Sequence, residues 1–319
     1  MSQHSIELKR LCRYFGKKAV VDDLSISVQT GKVTALLGLN GAGKTTTIRI
    51  LMGLLSPTRG SAMTLGADAT TMSIDTRKRI GYLVEGHYLY PSMRVRECQT
   101  FQRAGYDSWN SELFDDIVRH FSIDPAARVS TLSRGQRAGV SLALVLAPDP
   151  ELLVLDDPAL GLDPVSRRAL NETLIEFAAG GKRTVLLSTH LLDDVERIAD
   201  RVAVMVGGRL KVDTSMEDFV SRVSMFSVRA NGGYDSSTVK SIPGLIEARQ
   251  IGDRVQMAIA NANGAAHEAI EKSFGRPEKI ETTLDDAVLA FLTRQRGDRS
   301  FFASPVSPAS RNVSDGAKV

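Results

Sequence analysis

Residues 38–45 read Gly38-Leu39-Asn40-Gly41-Ala42-Gly43-Lys44-Thr45, and they fit the pattern G-x-x-x-x-G-K-[ST]. An apolar run at residues 33–37 precedes them, and a helical pattern follows from residue 43 to residue 55, where Ser56-Pro57 ends it. Glycines let such a turn fold tightly, so that its N–H groups face inward onto phosphate oxygens at the start of the helix. The stretch therefore predicts a phosphate-binding loop between a buried strand and a helix.

Two side chains of the loop have predicted roles of their own. Lys44 is placed to reach the β- and γ-phosphates, and the Thr45 hydroxyl to bind Mg²⁺. Together with Thr46, residues 38–45 are the candidates for contact with the nucleotide. The alternative is a glycine-rich turn with an incidental lysine, but that reading does not explain the flanking strand and helix.

A second candidate site element is the acidic end of an apolar strand, which reads Leu152-Leu153-Val154-Leu155-Asp156-Asp157. A buried parallel strand delivers its carboxyl end to the ligand crevice of an α/β sheet. Asp156 is then placed to hold Mg²⁺ through water, and Asp157 to polarise an attacking water molecule. Acidic strand ends in solvated turns are common, so this assignment depends on the phosphate loop.

The order of elements predicts an α/β fold. Apolar runs at residues 33–37, 152–155, 184–188 and 202–206 have the pattern of buried strands, and helical patterns separate them, as at residues 164–178. Such alternation favours a largely parallel sheet. Beyond residue 214, strand patterns at 226–230 and 255–259 and helical patterns at 265–274 and 285–294 predict a small α+β domain.

Composition and charge argue against several classes of protein. Apolar residues make up 43% and charged residues 24% of the chain, as in soluble globular proteins. The net charge of +3 is too small and too dispersed to indicate nucleic-acid binding. No stretch approaches 18 uncharged apolar residues, and no signal-peptide pattern is found at the start. Cys12 and Cys98 match neither a metal-ligand spacing nor a disulfide framework, so reduced thiols in a cytoplasmic protein are expected.

Further motifs, in a fixed order, resemble the ATP-binding-cassette (ABC) ATPases over roughly residues 6–213. Leu132-Ser133-Arg134-Gly135-Gln136 is similar to the signature LSGGQ, and Ala159-Leu160-Gly161-Leu162-Asp163 to the D-loop. Ser188-Thr189-His190 resembles the segment that carries the switch histidine. Phe15 stands at the aromatic position that stacks on adenine, and Glu85 stands at the Q-loop position.

The resemblance implies a fold and a domain organisation. It implies a P-loop NTPase core, with a RecA-like sheet, an antiparallel β piece and a helical subdomain, over residues 1–214. The helical subdomain is expected at about residues 87–148. An accessory α+β domain is expected at 215–296 and a disordered tail at 297–319. Residues 283–293 also resemble the closing helix of members that pair with a separate multi-span permease.

The resemblance also implies an ATP-hydrolysing subunit with Mg²⁺ as cofactor. Its catalytic residues would be Asp157, His190 and Glu85, and its metal ligands Thr45, Asp156 and Glu85. Ser133, Gly135 and Gln136 would contact ATP held by a second cassette, either an identical chain or a sister subunit. An integral membrane permease would be the other partner, contacted through residues 87–105 around Tyr88 and Tyr90. The chain would then lie peripherally on the inner face of the cell membrane, with no nucleic-acid partner.

Three positions depart from the family pattern, and all are expected near the γ-phosphate. Asp157 stands where the family has Glu, and its carboxylate reaches less far, which predicts slow hydrolysis. Glu85 replaces Gln and adds negative charge beside the triphosphate. Arg134 replaces Gly, and it either approaches phosphate or points into solvent.

Functions of other classes remain as alternatives. A soluble ABC ATPase acting on nucleic acid would carry a long coiled coil between loop and signature, and that interval has no heptad run. A small-molecule kinase with the same loop leaves the signature and His190 unexplained. A structural ATP switch with weak hydrolysis is compatible with the three departures.

Overall fold

The computed structural model describes residues 3–229, 239 and 241–293. The predicted tail at 297–319 lies outside the described residues, as do Arg294 and Ala230 at the ends of two predicted elements. In chain order the strands are β1 His4–Phe15, β2 Lys18–Gln29, β3 Val33–Leu37, β4 Arg59–Thr64, β5 Ala67–Asp68, β6 Ile80–Leu83, β7 Leu152–Asp156, β8 Thr184–Thr189, β9 Arg201–Val206, β10 Arg209–Ser215, β11 Val223–Arg229, β12 Leu245–Ile251, β13 Arg254–Ala260 and β14 Glu278–Ile280.

The helices alternate with these strands through most of the chain. In chain order they are α1 Lys44–Leu51, α2 Ile74–Lys78, α3 Val95–Arg103, α4 Ser111–His120, α5 Arg134–Leu146, α6 Pro164–Ala178, α7 Leu192–Ile198, α8 Met216–Arg222, α9 Gly264–Phe274 and α10 Leu284–Thr293. Short 3-10 turns occur at Ala69–Thr71 and Val129–Thr131.

The central sheet has six strands in the order β10-β9-β3-β8-β7-β6. All neighbouring strands in it are parallel except β10, which pairs antiparallel with β9 at one edge. Every residue of β3, β7 and β8 is buried, because helices cover both faces of a parallel sheet. Leu37 lies opposite Thr189, and Asp156 opposite Ser188. The segments that leave these three strands therefore meet at one edge of the sheet.

A separate antiparallel sheet has the order β2-β1-β4-β5. β1 and β2 form a long hairpin that turns at Gly16, whose φ of 59° suits glycine. The apolar faces of this sheet, of α1 and of one side of the central sheet share a core that includes Leu11, Leu24 and Ile48.

Helices α3, α4 and α5 pack together on the other side of the central sheet. Phe114 of α4 and Leu142 and Leu146 of α5 are almost completely buried there. α5 begins at Arg134, because Ser133 caps it. The signature residues therefore lie at the start of a long buried helix.

The C-terminal residues form a third sheet, antiparallel throughout, in the order β12-β13-β11-β14. α9 covers part of it and shares a small apolar core with it, which includes Met257 and Ile270. α10 packs both on this sheet, mainly against β12, and on the preceding part, against α7 and β9. Its buried residues Leu284 and Val288 belong to the same apolar core as α5 and the central sheet.

Candidate functional site

The phosphate loop connects β3 to α1 and is pressed against neighbouring backbone. Gly41 and Gly43 have φ values of 81° and 103°, in the left-handed region that favours glycine. A Cβ atom on Gly43 would lie 2.6 Å from the Val20 carbonyl oxygen, and one on Gly38 would lie 2.7 Å from the Met205 carbonyl oxygen. Gly41 has open space beside it. The loop is thus packed against backbone at Gly38 and Gly43 and open at Gly41, which fits an anion held by backbone N–H groups.

Lys44 is buried although it carries a charge. Its ammonium donates a hydrogen bond of 2.7 Å to the Gly38 carbonyl oxygen, which holds the side chain back across the loop. Burial lowers the pKa of Lys44, and the carboxylates of Asp157, Asp156 and Glu85 act in the opposite direction. A buried cation beside three carboxylates is suited to a strongly anionic ligand.

Thr45 and Asp156, predicted as metal ligands, lie together. Thr45 Oγ1 donates to Asp156 Oδ1 at 3.2 Å, and Ser188 Oγ donates to the same oxygen at 2.7 Å. A hydroxyl and a carboxylate at the front of the phosphate loop are hard oxygen donors, as Mg²⁺ requires. Among the described residues no three His, Cys, Asp or Glu side chains form a closed metal site.

Asp157 and His190, predicted as catalytic, are in direct contact. His190 Nδ1 lies 3.0 Å from Asp157 Oδ1, and the Asp157 side chain is mostly buried. Asp157 has a φ of 47°, which is unusual for a residue other than glycine. Its N–H donates to the Ser188 carbonyl oxygen at 3.0 Å and to Ser188 Oγ at 3.1 Å. Ser188 therefore holds the side-chain carboxylate of Asp156 and the backbone N–H of Asp157.

The two remaining candidates near the nucleotide, Glu85 and Phe15, are exposed. Glu85 follows β6, at the same sheet edge as Asp157, and is close enough to influence the pKa of Lys44. Phe15 ends β1 and is 48% exposed, with the Arg13 guanidinium 4.7 Å from its ring centre. A half-exposed ring ordered by a cation–π contact is suited to stacking. Thr46 is half-buried in the first turn of α1.

The signature residues are held within their own chain. Ser133 Oγ accepts from the Gln136 N–H, and Gln136 Oε1 accepts from the Ser133 N–H, which forms a capping box. Gln136 Nε2 donates to the Ser122 carbonyl oxygen at 3.1 Å. Gly135 is buried against α6, where a Cβ atom would overlap Ser166 Oγ. Ser133 and Gly135 thus present a rigid helix start, and both polar atoms of the Gln136 side chain are already bonded.

Comparison with known proteins agrees with this geometry. The family described as ABC transporter matches residues 21–160. The Nod factor export ATP-binding protein I of Bradyrhizobium diazoefficiens is 37% identical over 215 residues, which is 65% of this chain and 69% of that protein. This chain belongs to the ABC transporter family. It is the ATP-binding and ATP-hydrolysing subunit.

Solved structures show the same fold. The ATP-binding subunit of an ABC transporter superposes with a TM-score of 0.62 at 29% identity, over 68% of this chain and 92% of that one. A dimeric ATP-binding cassette in a post-hydrolysis state, bound to ADP and Pi, superposes with a TM-score of 0.59 at 19% identity. This second superposition covers 66% of this chain and 98% of the cassette. The fold of an ABC cassette with its P-loop core is thus confirmed.

The D-loop of this ABC subunit contacts the signature within one chain. Arg134 is exposed, as expected if it points into solvent. Its guanidinium nevertheless lies against the backbone of Gly161. A Cβ atom on Gly161, whose φ is 70°, would overlap the guanidinium. Asp163 caps α6, accepting from the Val165 and Ser166 N–H groups, and the Ser166 hydroxyl bonded to it lowers its pKa.

Two site residues were not singled out from the sequence. Ser188 was noted only as part of the Ser-Thr-His segment, although its hydroxyl donates to the Asp156 carboxylate and accepts from the Asp157 N–H. His87 follows Glu85 and Gly86, is buried, and places its Nε2 2.8 Å from the Pro158 carbonyl oxygen. Burial lowers the pKa of His87, the hydrogen bond to Pro158 opposes this, and Arg134 and Arg137 lower it further. The Ser-Thr-His pattern is a sequence signal for Ser188, and no motif in the sequence points to His87.

Proposed function

We propose that this ATPase works as one of two cassettes that drive a separate integral membrane permease. ATP would close the pair, and its hydrolysis would open it. The observation that carries the proposal is the meeting of Lys44, the carboxylates Asp156 and Asp157, and His190 at the carboxyl edge of three parallel strands. The pair would consist of identical chains or of this chain and a sister subunit.

The signature supports the use of a second cassette. The hydrogen bonds described for Ser133 and Gln136 join them to each other and to Ser122, and none of these bonds reaches the phosphate loop. The N-terminus of α5 is nevertheless an anion-attracting helix start. We propose that Ser133 and Gly135 contact ATP bound to the loop of the partner cassette, with Gln136 supporting them from behind.

The chain's own residues account for the hydrolytic step. The loop N–H groups and Lys44 bind and orient the triphosphate, which supplies most of the catalysis in phosphoryl transfer. Asp157 accepts a proton from the attacking water, and His190, bonded to Asp157, orients that water against the γ-phosphate. Mg²⁺, when bound at Thr45 and Asp156, neutralises charge on the β- and γ-phosphates.

An exposed aromatic group marks the proposed permease contact. Tyr88 is 83% exposed, Tyr90 and Phe101 are 63% exposed, and the rings of Tyr90 and Phe101 meet edge to face with centres 6.1 Å apart. Exposed aromatic clusters are typical of protein contacts. Among the described residues, no helix is both long and apolar enough to span a membrane. We propose that the chain is held peripherally at the inner face of the membrane through this group.

The test is the ATPase activity of the chain with and without a co-expressed permease from a neighbouring reading frame. We expect the two to co-purify and the permease to change the rate. The Lys44→Ala variant should lose tight ATP binding by calorimetry, whereas Lys17→Ala in the β1–β2 turn should retain it. Joint replacement of Tyr88 and Tyr90 by Ala should abolish co-purification but retain ATP binding. Equal affinity in wild type and Lys44→Ala would contradict the site.

A structural ATP switch with weak hydrolysis is the second candidate. It is favoured by one observation, the short Asp157 side chain in place of the usual Glu. In that case the assembled transporter would bind ATP and dimerise but turn over no faster than Asp157→Asn. A clear difference between wild type and this variant would exclude the switch.

A further inference from the structure

His87 belongs to none of the motifs, yet it is held more tightly than its neighbours in the chain. It is 4% exposed, whereas Gly86 and Tyr88 on either side are exposed. Its φ is 51°, a conformation that costs free energy for a residue other than glycine and persists only where tertiary contacts enforce it. A specific contact therefore holds this side chain inside.

The contact is a hydrogen bond to Pro158, the residue directly before the D-loop. His87 Nε2 lies 2.8 Å from the Pro158 carbonyl oxygen. A carbonyl only accepts, so Nε2 carries the proton and donates. The other ring nitrogen, Nδ1, is buried and has no partner within the described part of the chain. The bond to Pro158 is thus the polar interaction that the geometry assigns to this ring.

Pro158 directly follows Asp157, so the bond acts on the backbone of the proposed base. On the other side, the Asp157 N–H is held by the carbonyl and hydroxyl of Ser188. The backbone of Asp157, with its unusual φ, is therefore held on both sides, by Ser188 of β8 at its N–H and by His87 at the carbonyl of the next residue. This geometry directs the Asp157 carboxylate to His190, 3.0 Å away.

We propose that His87 is a positioning residue for ATP hydrolysis, which holds the Pro158 carbonyl and thereby the carboxylate of Asp157. The inference rests on the proposed role of Asp157 as the base. It also joins two parts of the site, because residues 85–88 carry the Q-loop carboxylate, the bond to Pro158 and the exposed ring of Tyr88. A partner that moves Tyr88 then moves the backbone next to Asp157.

The test compares two polar substitutions of different reach. His87→Gln places an amide N–H near the position of Nε2, whereas His87→Asn is too short but tolerates a positive φ. We expect His87→Asn to lower kcat about tenfold or more, because a small misplacement of a catalytic group is costly. Its KM and ATP affinity should stay unchanged. His87→Gln should retain kcat within about twofold by the same reasoning.

Controls separate positioning from stability and from the proposed function itself. Val255→Ala, at a fully buried position of β13, lowers stability within the small core of the third sheet and should keep its kcat. The inference is overturned if His87→Asn keeps wild-type kcat, or if His87→Gln and His87→Asn lose it equally. If Asp157→Asn retains wild-type kcat, the role of Asp157 fails instead, whatever the His87 variants do.

Discussion

Asp157 is the residue at which the reach of a side chain matters most. Its backbone is fixed by Ser188 and its carboxylate already contacts His190, so it cannot advance toward a bound nucleotide. One additional methylene would extend the carboxylate by more than an ångström. We expect Asp157→Glu to raise turnover at saturating ATP about ten- to a hundredfold in the assembled transporter. An unchanged or lower rate would show that the site, with Glu85, is adapted to aspartate.

Substitution of His190 is expected to lower ATP hydrolysis, whereas Asp157→Glu is expected to raise it. Because it contacts Asp157 but not the phosphate loop, His190→Ala should remove hydrolysis and spare ATP binding. Single-turnover hydrolysis and calorimetry measure the two separately. His120→Ala, on the exposed side of α4, is the matched control and should retain both. Full turnover in His190→Ala would contradict the switch role.

At this scale the sequence predicted the residues that lie in contiguous motifs, because their spacing fixes their placement. Lys44, Thr45 and Asp156 lie close together, as the predicted positions of the phosphate loop and the acidic strand end imply. The role of Ser188 depends on the register of β7 against β8, and that of His87 on an approach between distant loops. Neither can be obtained from local patterns. Arg134 shows the same limit, since its contact with Gly161 is a tertiary one.

Among the elements, prediction worked where the signal was long or strongly apolar. Helix α6 has the predicted bounds, set by Asp163 as cap and Pro164 in the first turn, and β3 likewise has its predicted bounds. Strands β6 and β10 were not predicted. β6 has only four residues with a glycine among them, and β10 alternates with charged residues at an edge. α1 ends at Leu51 rather than at residue 55.

The contact between α5 and α6 gives a prediction about packing. Gly135→Ala would drive a methyl group into the side chain of Ser166, which is itself bonded to Asp163. We expect a loss of about 1–3 kcal/mol in the free energy of unfolding. The double variant Gly135→Ala/Ser166→Gly should be more stable than the sum of the two single changes, measured by urea unfolding. Strict additivity would mean that the two positions do not meet.

In the whole molecule, the C-terminal elements and the central sheet share a core. Val288 of α10 is fully buried in the same apolar core as the central sheet. We expect Val288→Ala to lower the free energy of unfolding by about 2 kcal/mol. A fluorescent probe on α4 and one on β13 should then report the same shift of a single transition. A shift confined to the β13 probe would show that the two parts unfold independently.

The position of α10 also bears on how the protein is made. A chain leaves the ribosome amino end first, so α7 and β9 emerge long before residues 284–293, which cover them. Until then an apolar surface on α7, close in the chain to His190, stays open to chaperones and proteases. A nascent chain that stalls before residue 284 would carry every ATP-binding motif and still expose this apolar surface. Folding of the ATP-binding part of the chain is thereby coupled to synthesis of the C-terminal segment.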